Sequence, residues 1–245
     1  MPPEDEFRLP EREIRRLRRT RRHPRPTQPD YLHSRYLVDA LARTLPNVRA
    51  RDVLDVYCGT RPYDDLLPPG SESTGMDLTN FAGVADVVSD EFLPFEDASF
   101  DLVMCTEAFY YAEDPPAAVA EIARVLRPGG SVLITVSLPW EYDRNTLEHR
   151  YTGPELAHLF RDWDDVEVTE NGGYAVSWAT LSGRIAYGVE EHLPPAARLA
   201  LRPLFVALYL LINGFGALLD RVERAGPQGA NILPMNLMVT ARRPA

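Results

Sequence analysis

Short apolar runs, each closed by a polar or small residue, recur along the middle of the chain. Runs at residues 52–57, 73–77, 85–89, 100–105 and 131–137 have the length of strands, and the segments between them fit helices or turns. Ahead of them Tyr31, Leu32, Arg35, Tyr36, Val38, Leu41 and Leu45 recur at helical spacing, with Asp30 placed to cap. Between the fourth and fifth runs, Asp114-Pro115 opens a helix with a carboxylate N-cap and a proline in its first turn. Ala117, Val119, Ala120, Ile122, Ala123, Val125 and Leu126 give that helix an apolar face, and Pro128-Gly129-Gly130 ends it. Thr152 and Glu155 have capping-box spacing for a helix over 154–160. Strands at 165–170 and 235–242 complete the series. Strands alternating with helices predict an α/β fold built on a doubly wound parallel sheet.

Two segments stand apart. Residues 1–29 are rich in Pro and Arg, and read as a mobile arm with a short helix over 11–22 ahead of a domain spanning 30–245. Residues 172–233 form a helical insertion before the last strand. Within it, residues 203–219 carry no charge, and the run 204–212 is apolar throughout. Seventeen uncharged residues reach only the short end of a membrane span, and Asn213, Gly214 and Gly216 interrupt them. A helix apolar on all sides must be hidden from water. Burial in the protein or in a homodimer is the first reading, and contact with a membrane surface or a lipid substrate the second.

Composition narrows the classes. The chain has 245 residues, 45% hydrophobic and 25% charged, as in ordinary soluble proteins. Its net charge of −10 coexists with eight Arg against Glu11 and Glu13 in residues 11–25, so the rest is strongly acidic. An acidic body argues against a broad nucleic-acid surface. The only cysteines, Cys58 and Cys105, fit neither a disulfide framework nor a metal-ligand spacing. The N-terminus has no apolar signal-peptide core, and a cytoplasmic enzyme is expected.

Chemistry concentrates where strands end. Val53-Leu54-Asp55-Val56-Tyr57-Cys58-Gly59-Thr60 is an apolar run closing on an acidic residue and a small-residue turn. Ser73-Thr74-Gly75-Met76-Asp77 repeats the design, as a nucleotide-binding α/β unit requires for the ribose hydroxyls. Together with the segments 90–103 (Asp-Glu-Phe-Leu-Pro-Phe-Glu-Asp-Ala-Ser-Phe-Asp-Leu-Val) and 120–130 (Ala-Glu-Ile-Ala-Arg-Val-Leu-Arg-Pro-Gly-Gly), the chain resembles the class I S-adenosylmethionine-dependent methyltransferases, in their type 11 small-molecule branch. The likeness covers about residues 30–170 plus the last strand. It implies a Rossmann-like, seven-stranded sheet, mostly parallel with an antiparallel last strand. It also implies roles for the cofactor S-adenosylmethionine. The turn at Tyr57 and Gly59 passes under the methionine moiety, and Asp55 helps hold the ammonium. Asp77 takes the ribose hydroxyls and Leu78 flanks the adenine. Asp90 accepts from the adenine amino group, the Glu91 backbone reads the ring edge, and Cys105 and Thr106 line the methionine side.

The chain departs from this family where Tyr57 and Arg61 replace customary glycines, although RNA uracil-5-methyltransferases resemble it in carrying Tyr at that turn. It also has Tyr110-Tyr111 where many relatives carry Glu-His, which removes the usual candidate base. The remaining catalytic candidates are His149, by virtue of its natural pKa range, and Tyr111. Without geometry, His149 reads as well as a capping-region surface residue, and Tyr111 as a core aromatic. Trp140, Tyr142 and Tyr110 are candidates to bind the substrate. The expected activity is methyl transfer to a hydroxyl, amine or carboxylate of a small molecule, a secondary metabolite or a glycan or lipid-linked precursor. In that reading the insertion serves as a lid or as part of the acceptor pocket. An RNA or protein methyltransferase guided by the basic arm, and a non-catalytic binding module of the same fold, are the alternatives.

Overall fold

The computed structural model describes residues 9–80, 82–89, 92–142, 144–227 and 232–245. Seven strands form one sheet: β1 (Asp52–Val56), β2 (Glu72–Asp77), β3 (Val87–Val88), β4 (Phe100–Thr106), β5 (Leu126–Ser137), β6 (Asp164–Asn171) and β7 (Asn236–Arg242). Their order is β3-β2-β1-β4-β5-β7-β6, with β7 antiparallel to both its neighbours and the other pairings parallel. The chain therefore winds outward in one direction from β1 and in the other from β4. A crevice opens beyond the carboxyl ends of these two strands, where ligands bind in open α/β sheets.

The sheet is covered on both faces, so its central strands are apolar at nearly every position. Successive residues still alternate between two cores. Val53, Leu102, Met104, Leu133 and Met238 meet Leu37, Val38 and Leu41 of helix α2 (Tyr31–Thr44). Their neighbours Leu54, Val103, Cys105, Ile134 and Val239 face the opposite way. There they meet Val119, Ile122 and Val125 of α3 (Pro115–Val125) and Leu156 of α4 (Gly153–Leu159).

Local signals act largely as their chemistry dictates. The Asp114 carboxylate accepts the Ala117 N–H at 3.1 Å, and Thr152 and Glu155 form a reciprocal capping box. Asp30 differs: it precedes α2 but its side chain makes no capping hydrogen bond. Pro128-Gly129-Gly130 also differs, because α3 stops at Val125 and this segment lies inside β5 as an irregularity. Pairing jumps there from Phe100–Leu126 to Leu102–Ser131. A Cβ on Gly130 would sit 2.9 Å from the Arg127 carbonyl oxygen, so only glycine fits. Arg127 itself bridges Asp52 and Asp101, both at 2.7 Å, which ties β1, β4 and β5 together at the end away from the crevice.

The Arg-rich segment is fastened to the body, contrary to the expectation of a mobile arm. Helix α1 (Glu11–Arg22) buries Ile14, Arg18 donates to the Thr60 carbonyl, and Arg22 pairs with Asp65 at 2.9 Å. Arg15 and Arg16 pair with Glu11 and Glu13 on the same helix. Arg15, Arg16, Arg18 and Arg22 thus have partners within the chain.

The insertion is an antiparallel pair, α5 (Tyr174–Glu191) and α6 (Pro195–Ala225). Glu223, near the end of α6, accepts the N–H groups of Tyr174 and Ala175 and so caps α5. At the other end, Arg202 and Tyr209 hold the buried carboxylate of Glu190. The pair packs against the segment leading into α2. Asn213 donates to the carbonyls of Pro26 and Gln28, Tyr36 bonds Asp220, and Gly183 leaves room for the Pro29 carbonyl.

Burial within the chain accounts for only one face of α6. Phe205, Tyr209, Asn213, Gly216 and Asp220 are buried, while Leu204, Leu208, Leu211, Phe215, Leu218 and Val222 are exposed. By length and composition α6 is apolar enough to cross a membrane. The core helix of a soluble protein passes the same test.

Candidate active site

The turn after β1 sets the geometry. Tyr57, Gly59 and Arg61 all adopt left-handed backbone conformations, with φ of 55°, 53° and 51°. The two non-glycine residues thus keep the conformation that glycine would adopt freely, at about 1–2 kcal/mol each. Contacts hold them there. The Tyr57 ring lies 6.3 Å from Phe92. Arg61 pairs with Asp64 at 3.0 Å and Asp86 at 2.6 Å, and donates to the Ser73 carbonyl at 2.8 Å. Gly59 has open space where a Cβ would be.

Asp77, at the end of β2, is locked to this turn. Its carboxylate accepts the Gly59 N–H at 2.9 Å through Oδ2 and the Leu78 N–H at 2.8 Å through Oδ1. Each oxygen still has acceptor capacity for a diol. Asp55 is buried, and its Oδ1 has no hydrogen-bond partner. Burial, then repulsion from Asp64, pushes its carboxyl up to about 8.

Beyond this turn lies a cavity of about 400 Å³. Tyr57, Gly59, Asp77, Leu78, Thr106, Tyr110, Tyr111 and Trp140 all line it. Arg21, Asp30, His33, Tyr63, Glu107 and Ser137 belong to the same wall. The residues named from the sequence therefore divide. Eight of them, from Tyr57 to Trp140, meet at one cavity, and Asp55, Cys105, Tyr142 and His149 are not on its wall. Cys105 is buried in the core, where burial keeps its thiol protonated. Tyr142 is exposed to solvent. His149 stacks near Tyr151 and sits 3.4 Å from the Glu113 carbonyl. Asp90 and Glu91 lie outside the described residues.

Three cavity residues had no signal of their own in the sequence. His33 looks like any helix residue, Glu107 like a polar residue after a strand, and Arg21 like part of a basic run. The insertion, expected as a lid or pocket wall, contributes no described residue to the cavity lining. It acts at one remove: Arg184 of α5 stacks over Trp140 at 5.2 Å and pairs with Glu141 at 2.7 Å.

An acidic strand end, a left-handed turn and a cavity at the switch point define a nucleotide-cofactor site of the class I methyltransferase kind. Residues 54–134 match the family described as Methyltransferase domain. Over this span the chain is similar to class I S-adenosylmethionine-dependent methyltransferases, and S-adenosylmethionine is the cofactor that this similarity implies. Among curated relatives, it is 27% identical to a ubiquinone biosynthesis O-methyltransferase of Alkalilimnicola ehrlichii, over 40% of this chain and 46% of that protein. It is 38% identical to phthiotriol/phenolphthiotriol dimycocerosates methyltransferase 1 of Mycobacterium ulcerans, over 37% and 41%. The chain spans less than half the length of these relatives. Two solved structures share the fold. One is a putative sarcosine dimethylglycine methyltransferase from Galdieria sulphuraria (TM-score 0.53, 18% identity, 86% of this chain and 84% of that one). The other is the [4+2]-cyclase SpnF (TM-score 0.54, 16% identity, 88% and 82%).

The residues present fit the cofactor. Gly59 leaves the turn open, the diol-facing capacity of Asp77 is intact, and the unpartnered Asp55 oxygen lies two residues before the turn. When bound, S-adenosylmethionine supplies an electrophilic methyl group on sulfonium.

Proposed function

We propose that this protein transfers a methyl group from S-adenosylmethionine to a hydroxyl on a small aromatic molecule. The observation that carries the reading is one cavity that brings the cofactor-turn residues and an aromatic cluster together. Gly59, Asp77 and Thr106 line it together with Tyr110, Tyr111 and Trp140. Flat aromatic walls favour a ring-bearing acceptor. Holding the acceptor oxygen in line with the methyl group, away from water, is the main contribution such a site makes. The O-methyltransferase names among the relatives point the same way. The acidic body of the chain weighs against an RNA substrate, and the preserved left-handed turn weighs against a module that has lost its cofactor. The test is transfer of radiolabelled methyl groups to a panel of phenols, catechols, amines and carboxylates. Labelling of phenols or catechols is expected, and labelling confined to RNA would overturn the reading.

A partner follows from α6. Its exposed apolar residues fall at 204, 208, 211, 215, 218 and 222, the four–three alternation of a coiled-coil seam. Trp178, Leu181 and Ile185 add a second exposed stripe on α5, joined to the first by the edge contact of Trp178 with Phe215. This spacing suits another helix pair, and a net charge of −10 opposes an anionic bilayer. The partner proposed is a second copy of this chain, through a four-helix interface. Light scattering should give a dimer that Leu211→Glu converts to monomer. A wild-type monomer that floats with phosphatidylglycerol vesicles would overturn it.

A further inference from the structure

Methyl transfer to a neutral hydroxyl releases a proton, and neither residue named for that task from the sequence is set up to take it. His149 is off the cavity wall, and Tyr111 is partly exposed with its ring against Tyr110 and no carboxylate orienting it among the described contacts. His33 is placed differently. It lies on α2, is 6% exposed, and lines the cavity. Its Nε2 is 3.3 Å from Glu107 Oε2, while its Nδ1 is buried with no hydrogen-bond partner. The ring centroid is 4.9 Å from that of Trp140, which fixes the imidazole from the aromatic side.

Glu107 is held as an anion that can orient this imidazole. It takes a left-handed conformation, φ 57°, directly after β4. Its own N–H is anchored on Thr135, to the backbone carbonyl at 2.9 Å and the hydroxyl at 3.0 Å. Its carboxylate receives Ser137 Oγ from β5 and Asn236 Nδ2 from β7 as well as the His33 contact. Burial pushes this carboxyl up, but the His33, Ser137 and Thr135 hydrogen bonds outweigh it and hold it below its ordinary value. Three elements thus converge on one carboxylate whose remaining partner is a cavity-lining histidine. Such a pairing fixes one imidazole tautomer, stabilises the imidazolium, and leaves the other ring nitrogen as a base.

We propose that His33, oriented by Glu107, is the general base that deprotonates a hydroxyl acceptor in this cavity. The inference rests on the methyltransferase reading above and adds to it the acceptor group and the residue that serves it. The acceptor O–H bond breaks, leaving its electron pair on oxygen and its proton on His33 Nδ1. The oxygen pair forms the new bond to the methyl carbon, and the carbon–sulfur pair leaves with sulfur, giving methyl ether and S-adenosylhomocysteine. Glu107 balances the imidazolium until water removes the proton. The other charged groups on the cavity wall are Arg21, which opposes protonation of His33, and Asp30 and Asp77, which favour it. Arg184, over Trp140, also opposes it.

The test uses the full chain with S-adenosylhomocysteine, in wild type, Glu107→Gln and His33→Gln. Nitrogen-15 NMR of wild type should show neutral His33 with its proton on Nε2 and a bare Nδ1. Glu107→Gln should lower the His33 titration midpoint by about one unit. Calorimetry should show all three proteins binding S-adenosylhomocysteine with unchanged affinity. With the hydroxyl acceptors found by labelling, His33→Gln should lose about 100-fold or more in kcat with the KM for S-adenosylmethionine unchanged, and lose the basic rise of the pH profile. A proton on Nδ1 in the neutral form, or a midpoint unmoved in Glu107→Gln, overturns the proposal whatever the acceptor. Labelling of amines alone overturns its acceptor group. Failure of wild type to bind S-adenosylhomocysteine, with the expected NMR pattern, instead sinks the methyltransferase reading.

Discussion

Asp55→Asn isolates the cost of keeping a carboxylate under the cofactor turn. Burial raises the Asp55 carboxyl to about 8 in the folded chain, against 3.8 for an ordinary aspartate. A raised carboxyl stabilises the fold when it is protonated, so its contribution is complete below the unfolded value and is lost as pH climbs toward the folded one. At pH 7 the gap to the unfolded value is about three units, a ceiling of about 4 kcal/mol at 1.36 kcal/mol per unit. Local relaxation and water entry reduce this, and about 1–3 kcal/mol is expected. Asparagine has the same shape without the charge. Urea unfolding of the cofactor-free proteins should therefore give equal stability near pH 4, and a gain for Asp55→Asn that grows through pH 7 and levels above about 8. Above about pH 8, where the Asp55 carboxyl ionises, the same variant should bind S-adenosylmethionine more weakly, because the cofactor's ammonium loses an anion near the turn. Stability and function then move in opposite directions at one residue. A stability difference that stays flat from pH 4 to 8 would refute the reasoning, because the carboxyl would then be titrating as an ordinary one.

Two further expectations concern the scaffold. Gly183→Ala places a Cβ 2.0 Å from the Pro29 carbonyl oxygen, so α5 must move off the segment leading into α2. A loss of about 1–3 kcal/mol in urea unfolding is expected. Thr152→Ala removes one arm of the capping box, and should cost about 1 kcal/mol of stability without changing cofactor affinity. Calorimetry and denaturation on the same preparations check both.

The sheet was readable because its strands are short, apolar and closed by residues with a conformational job. Each predicted strand is present, with bounds shifted by a few residues or fewer except at β5, where the strand begins five residues earlier at Leu126. The acceptor of each cap at Asp114 and Thr152 was also legible, since both motifs act within four residues. Asp30 shows the limit of such local reasoning. It has the right residue type ahead of α2, yet it faces the cavity wall rather than the helix N-terminus. The left-handed turn was harder to read, because Tyr57 and Arg61 replace the residue type that advertises positive φ. What holds them, such as the Arg61 bridge to Asp86, spans 25 residues of sequence.

Long-range pairs were invisible for the same reason. His33 and Glu107 belong to different elements, and only the winding of the sheet brings them together. The apolar run of α6 was evident as a run, but its division into a buried face and an exposed seam depended on where α2 packs. Gly183 and Gly216 carry that information, because each allows a close approach that only the folded chain makes.

The most direct test of the central claim is calorimetric titration of wild type and Asp77→Ala with S-adenosylmethionine and S-adenosylhomocysteine. The account predicts binding by wild type that falls at least about tenfold in the variant, since a charge-assisted hydrogen-bond pair to the ribose is worth more than about 1.4 kcal/mol. Both proteins folded by circular dichroism, with wild type binding neither ligand or Asp77→Ala binding as tightly as wild type, would contradict it.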